Sequence, residues 1–442
     1  MKRCGSTFRT FLTVSSMGLS GSAVVYFYRG VLHTELAGVP VFGTGAIMLH
    51  WQPSPRVEFD LDVDPPIPVE LGVAISEPQK QVELRIPDYS GRGKATAWGS
   101  SWTHEAGGIT ALTLRGIIEE FVVGNPAPVV GGPITRSPVP GRVWAGRIRA
   151  TTPTWSLVLD ELEVAGDLRK FLDRSSGYGI TSVGELRRVD GLPVQYESVD
   201  DLMELLAWWL SMLRSERTGP VLLIGMHDGV EVWECWKVPV VDAWHGRQSW
   251  LPYQPTTSLE GDFPGAGTIL TRLEQLVAGS EEHRAVTRAL GWYTQNVHGV
   301  DLEPTVIAAQ AGLEVLSWLH LTTEAGLSED GFNKLTAADV LRLTLNRASI
   351  QPAVPAHATH LHGATRQSPQ GPELDGPAAI TEIRNGVVHP KGTGRLAADT
   401  VIYEGGRLAI RYLELLLLHR LGYAGQAFDR IAWSETQDVP WK

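Results

Sequence analysis

The chain has 442 residues, 43% of them apolar and 20% charged, the balance of a soluble globular protein with room for two or three domains. A net charge of -11 argues against stable duplex DNA binding, whose nonspecific affinity comes from basic residues displacing counterions. Two cysteines, Cys4 and Cys235, are too few for a disulfide framework or a thiolate zinc site, and no apolar run approaches the roughly 20 residues of a membrane span. We therefore expect a cytoplasmic protein without membrane contact.

Met1-Lys2-Arg3 followed by Phe11, Leu12, Val14 and Leu19 imitates a secretory signal, but Thr, Ser and Gly interrupt the run. Residues 1–21 are expected as a disordered tail, or as an over-extended reading frame whose start is Met17. From 22 to 159, short β-rich runs are cut by Gly and Pro, at 23–28, 39–51, 56–63, 82–86, 109–114, 143–149 and 155–159. That pattern predicts a sandwich or partly closed barrel, with a loop at 126–140 and no helix before residue 160.

An α+β layer is expected next, with a short helix at 166–174, a strand at 180–188 and a helix at 199–216. In the last of these, Leu202, Leu205, Leu206, Trp209, Leu210 and Leu213 recur at three- and four-residue spacing. The runs 221–226 and 230–237 flank Asp228-Gly229, a hairpin signal. Trp208, Trp209, Trp233, Trp236, Trp244 and Trp250 crowd this stretch; an aromatic platform for a base or sugar is conceivable, but core packing is the stronger reading. Residues 22–260 thus form a β-rich to α+β region suited to a sensor role.

Residues 260–267 read as a Gly/Pro linker, and after it every strong period is helical. Helices are expected at 268–278, 281–297, 303–323, 337–348, 378–385 and 396–422, a helical bundle over 268–442. The fold class is therefore multidomain α+β, with a β-rich start and an all-α C-terminal part. Two decoys are set aside. Residues 91–96 lack the Ser or Thr directly after Lys94 and the upstream Gly of a phosphate loop. His357, His360 and His362 have ligand spacing, but no Cys or Asp pattern completes a metal site, so neither metal nor cofactor is expected.

The stretch that carries chemistry is Arg384-Asn385-Gly386-Val387-Val388-His389-Pro390. Arg can grip a phosphate with two parallel hydrogen bonds, and His can move a proton near neutrality. Together they suit phosphodiester cleavage without a metal. On a continuous helix residues five apart sit about 140° round the axis, but Gly386 and Pro390 predict unwinding that lets the imidazole swing back towards the guanidinium. Of 13 histidines, only His389 has an Arg five residues before it, and residues 384–420 hold six Lys or Arg (384, 391, 395, 407, 411, 420) against three acids, a net +3 near the motif.

Placed between the last two helices of a bundle, this motif resembles the signature of the HEPN superfamily (higher eukaryotes and prokaryotes nucleotide-binding domains): an Arg, usually a polar residue, and a His four to six residues on. Ala289-Leu290-Gly291-Trp292-Tyr293 and Gln310-Ala311-Gly312-Leu313-Glu314-Val315-Leu316 also resemble the first bundle helices of HEPN proteins from bacterial defence loci. The resemblance covers roughly residues 280–425. It implies a metal-independent endoribonuclease, a toxin or antiphage effector, with Arg384, Asn385 and His389 as catalytic residues, RNA as substrate and a homodimer whose two motifs face one cleft. The alternative is a noncatalytic HEPN-type dimerisation or interaction module. A dimer contact is expected from Ile410, Leu413 and Leu417, which widen the apolar arc of the last helix, and the N-terminal region is expected to regulate the effector.

Overall fold

The computed structural model describes residues 24–67, 71, 80–87, 90–105, 108–124, 148–161, 165–227, 230–245, 249–251, 265–299, 301–366, 373–389, 398–432 and 436–441. The tail at 1–21, the loop at 126–140, most of the linker at 260–267, the Asp228-Gly229 turn, and Pro390, Lys391 and Arg395 lie outside them. The chain is mixed α/β, β-rich towards its N-terminus and helical towards its C-terminus. It divides into two compact units that do not follow a single cut: 1–147, 154–203 and 219–246 form one, and 148–153, 204–218 and 247–442 the other.

In the first unit, β1 (Val25–Leu36), β2 (Val39–His50), β3 (Arg56–Val63), β4 (Lys80–Ile86), β5 (Gly91–Glu105) and β6 (Gly108–Gly124) pair antiparallel in the order β1-β2-β3-β6-β5-β4. A pairing of His33 with Arg85 returns β4 to β1, so the six strands close into a ring. The expectation of a sandwich or partly closed barrel resolves as a closed one. Closure depends on β5, which sequence reading left out: its Gly, Lys, Ser and His lack an apolar alternation, yet it pairs with β4 on one side and β6 on the other. The decoy at 91–96 is the start of this strand.

Ala37 and Gly38 both have positive φ and join β1 to β2 as a two-residue turn, whose twist matches that of the paired strands. β3 and β4 alternate buried and accessible residues, as strands with one face inside a barrel must. The interior is filled by Leu32, Ile47, Leu49, Phe59, Leu61, Leu84, Leu114 and Phe121, among others, so it is a packed core. Gly116 makes room for Phe59, whose ring would lie 2.2 Å from a Cβ there. Leu71 is helical, against the expectation of no helix before residue 160.

Beyond β7 (Ile148–Thr151), which belongs to the second unit, β8 (Trp155–Glu161), α1 (Ala165–Ser175) and β9 (Ser182–Arg188) follow, with β8 and β9 paired antiparallel. After α2 (Val199–Arg214), β10 (Leu223–His227) and β11 (Val230–Cys235) form a hairpin that extends the barrel sheet along the end of β6. Trp236 stacks on Phe27 at 5.0 Å and on Phe121 at 5.3 Å. Trp233 and Trp236 are buried, as are Trp209 and Trp250 in the second unit, so these four are core residues.

The second unit holds α3 (Ala266–Glu274), α4 (Glu281–Asn296), α5 (Leu302–Trp318, continued as a π-turn Leu319–Glu324), α6 (Glu329–Asn333), α7 (Ala337–Arg347), α8 (Thr359–Arg366), α9 (Gly376–Val388) and α10 (Asp399–Arg420), then the short pair β12 (Gln426–Phe428) and β13 (Thr436–Asp438). α10 is central, packing against α4, α5, α8 and α9. From Leu408 to Leu418 every residue is buried, the signature of a helix enclosed on all sides. Ile410, Leu413 and Leu417 therefore contribute to the chain's own core, each stabilising by about 1.5–3 kcal/mol. The dimer contact expected of them falls, because the wide apolar arc is covered by neighbouring helices.

Candidate functional site

α9 is placed firmly at its start. Asp375 caps it by accepting from the Ala378 amide at 3.0 Å, with Pro377 in the first turn. The same carboxylate receives both Nε and Nη2 of Arg342 on α7, at 2.5 and 3.0 Å. Ala379, Ile380 and Ile383 are buried, and Ile383 lies over Gly405 of α10, where a Cβ would be 2.4 Å from its Cδ1.

The end of α9 corrects the expected geometry. The helix runs on through Gly386 to Val388 and leaves at His389, whose amide still donates to the Asn385 carbonyl at 2.8 Å. Gly386 keeps helical dihedrals with open space where a Cβ would stand. Glycine costs a helix about 0.5–1 kcal/mol, which the burial of Ile380 and Ile383 readily offsets. The chain does not unwind where Gly386 suggested it would.

The consequence is an arc rather than a pincer. Taking the buried direction of Ile383 as reference, helical geometry puts Arg384 about 100° to one side and His389 about 120° to the other. Asn385 and His389, four apart, share a face. Arg384 Nη1 donates to Asn385 Oδ1 at 3.2 Å, so the amide stands between cation and imidazole. Arg384 is half-buried and Asn385 and His389 are exposed. Among the described residues no carboxylate lies within ion-pair distance of Arg384. The last-turn carbonyls carry partial negative charge, so a phosphate approaching here depends on that guanidinium.

Of the six cations counted along the sequence, Arg407, Arg411 and Arg420 are tied to partners within the chain. Arg411 and Arg430 are buried on Glu414: Arg411 Nη1 donates at 3.3 Å and Arg430 Nε at 2.5 Å. Arg430 Nη2 donates to Ser215 Oγ and to Tyr293 OH, both at 3.0 Å, and Tyr293 OH donates to Glu414. Burial pushes the Tyr293 phenol up, Arg430 pulls it back, and Glu414 adds to the rise, so it is a neutral donor. Burial disfavours charge on Arg430, but Glu414 and Tyr293 outweigh it and hold its pKa above the ordinary value. Arg420 pairs with Glu282 at 2.6 Å and with Glu324. Arg407 is bound to the Arg430 carbonyl through Nε at 3.0 Å. None of these four is a displayed RNA-binding cation.

Sequence reading missed this buried network because its members are far apart in the chain: Ser215 and Arg430 are separated by 215 positions, Tyr293 and Glu414 by 121. The one local sign is a polar pair, Arg411 and Glu414, inside the apolar run of α10. His360 and His362 lie on α8, and among the described residues no three His, Cys, Asp or Glu side chains gather as a metal site would require. No helix among the described residues is long and apolar enough to cross a membrane.

Comparison with known proteins adds three findings. Residues 280–439 match the YopA C-terminal domain and residues 120–247 the YopA central domain. The SPbeta prophage-derived protein YopA of Bacillus subtilis strain 168 is 30% identical over 316 residues, covering 68% of this chain and 67% of that protein. No solved structure matches.

Proposed function

The chain belongs to the YopA family, and for this member of it we propose metal-independent cleavage of RNA by Arg384, Asn385 and His389 at the end of α9. The observation that carries the reading is the accessible Arg384 guanidinium, held by Asn385 and with no acid within ion-pair distance among the described residues, beside an exposed imidazole. A structural arginine is ordinarily tied to a carboxylate, as Arg342 and Arg430 are. In the proposed step His389 moves the proton of the ribose 2′-hydroxyl or of the leaving oxygen, and Arg384 stabilises charge building on the phosphate. Asn385 orients the guanidinium.

Because Arg384 and His389 diverge round α9, one chain offers a given phosphate one of them. A two-fold homodimer supplies the other from the second copy, as a HEPN-type bundle over residues 268–442 would. The prophage origin of the relative suits an effector in conflict between phage and host. Incubation of the purified protein with RNA in EDTA is the test: wild type should cleave and His389→Ala should not. Mixing Arg384→Ala with His389→Ala should restore about a quarter of wild-type activity, since half the dimers carry one intact composite site. No cleavage by wild type, or full cleavage by His389→Ala, sinks the reading.

The continuity of α9 favours one other reading, a noncatalytic interaction module in which Arg384 and Asn385 bind a partner and His389 closes the helix. Absence of cleavage together with concentration-dependent self-association would establish it.

A further inference from the structure

Three segments meet at the C-terminal end of α10. His419 of α10 meets His320 of the π-turn with ring centroids 6.0 Å apart and planes nearly perpendicular, and it meets Trp441 of the C-terminal tail at 5.1 Å, again edge to face. Both neighbours have backbone anchors. The Ala325 and Leu327 amides donate to the His320 and Leu321 carbonyls of the π-turn at 3.1 and 2.9 Å, and Trp441 Nε1 donates to the Tyr423 carbonyl at 2.7 Å. The contact of Ile383 with Gly405 lies fourteen residues before His419, so this joint is about 21 Å along α10 from α9 and its motif.

Neutral imidazoles suit this joint and charged ones do not. The contact of His320 Nδ1 with Glu324 at 2.6 Å assigns the proton of the neutral ring to Nδ1. A second proton would sit on Nε2, which is buried and has no hydrogen-bond partner among the described residues, so the charge would arrive with an unmatched donor. Glu324 does not balance that charge, because the same carboxylate receives Arg420. Arg420 also pairs with Glu282 of α4 at 2.6 Å, and Glu282 in turn receives Arg272 of α3. Arg347 of α7 is a further cation near His320. Glu281 of α4 accepts from Trp318 Nε1 at 3.0 Å, and α6 brings Phe332 against the Trp318 ring at 4.9 Å. The tail brings Trp441, an uncharged ring; Lys442 lies outside the described residues. Burial holds the His320 pKa below its ordinary value, with Arg347 and Arg420 adding to the fall, and burial beside His320 does the same for His419.

We propose that His320 and His419 form an acid-opened joint: with both imidazoles neutral the π-turn, the end of α10 and Trp441 pack together, and protonation of the pair drives the π-turn and Trp441 off α10. Two imidazoliums at this separation repel each other and Arg420, whereas an indole attracts a cation more weakly. Turning a ring out to water relieves the charge, and either movement removes a packing partner. His320 takes the π-turn with it, and His419 leaves Trp441 without its contact. The open joint binds protons more readily than the closed one, so closure is favoured in full above the ordinary histidine value of 6.5 and is lost as pH falls below it. A single wide π-turn at the end of an α-helix is a suitable moving part, since its bonding is less regular than that of the helix it ends. The joint is independent of the cleavage reading, so a failed RNA assay leaves it standing.

The experiment is hydrogen exchange of the full chain, followed by NMR at about pH 7.5 and about pH 5.5 and corrected for intrinsic rates. The Ala325 and Leu327 amides and the Trp441 indole N–H should exchange about tenfold faster at the lower pH. The Phe428 amide, bonded to the Trp250 carbonyl at 2.8 Å, should keep its protection, which separates opening of the joint from acid unfolding of the whole unit. His419→Phe keeps a ring for Trp441 without a titrating group and should cut the acceleration to about threefold; adding His320→Gln should remove it. Equal rates at the two pH values in wild type, equal acceleration at Phe428, or the full acceleration in a folded His419→Phe would overturn the proposal.

Discussion

Two groups of charged residues sit on adjacent helices of the same unit and are built on opposite terms. At the end of α9, Arg384 makes one side-chain hydrogen bond among the described residues, to its sequence neighbour, and is half-buried. In the middle of α10, Glu414 is fully buried and meets Arg411, Arg430 and Tyr293. A cation that is to act on a ligand must keep donors for it, whereas a buried charge must have every donor matched or it destabilises the fold. The same residue types are therefore left accessible in one place and locked into architecture in the other, and accessibility with partner set separates them.

The comparison breaks most sharply at Glu414. Glu414→Ala leaves two buried guanidiniums facing each other and should cost about 3–5 kcal/mol, read as a large fall in the urea unfolding midpoint. A wild-type midpoint would mean that the network is ornamental. Asp375→Ala is a smaller blow, removing the cap of α9 and the partner of Arg342. The pair is partly exposed and screened, so about 1–2 kcal/mol is expected, with hydrogen exchange at the first turn of α9 as the local readout.

Glu234 is a carboxylate with a like charge for company and sharpens the contrast with Glu414. Burial raises its pKa and Glu231 raises it further, while Trp236 Nε1, donating at 2.9 Å, opposes the shift; the value reaches about 8. The folded state thus holds the proton more tightly than the unfolded one. Its contribution to stability is whole below the ordinary carboxylate pKa of about 4.5 and is lost as pH rises to about 8. Glu234→Gln should flatten the fall in Tm across that window, and an unchanged slope would show that the shift is not there. The smallest effect is at the motif itself: Arg384→Ala and His389→Ala should each change stability by no more than about 0.5 kcal/mol, since neither removes a buried contact. A larger loss would move Arg384 into the architectural class with Arg430.

The residue pattern reported the helices of the second unit closely. Helical spacing predicts a helix over 281–297, and Glu281–Asn296 forms it; it predicts another over 337–348, and Ala337–Arg347 forms it. Apolar residues at helical spacing mark a buried face wherever that face ends up, so the reading needs no partner. The end of α9 differs from the local expectation because Gly386 weakens a helix locally, while the burial of Ile380 and Ile383 that holds it straight is a tertiary fact. On the barrel side the same limit appears at β5, which lacks alternation and is a strand because β4 and β6 bracket it.

By itself the sequence determined the order of the elements, the β-rich and helical character of the two regions, the core placement of Trp209, Trp233, Trp236 and Trp250, and the presence of Arg384, Asn385 and His389 within one short stretch. Local periodicity and residue type carry those, since they depend on neighbours within a turn or a strand. Only the tertiary structure decided that the barrel closes through His33 and Arg85, that Arg384 and His389 stand on different faces of an unbroken helix, and that Arg411, Arg430 and Glu414 face inward. Those outcomes depend on which residue covers which in the folded chain, and hydrogen bonds across more than a hundred positions, as from Tyr293 to Glu414, leave no period in the chain.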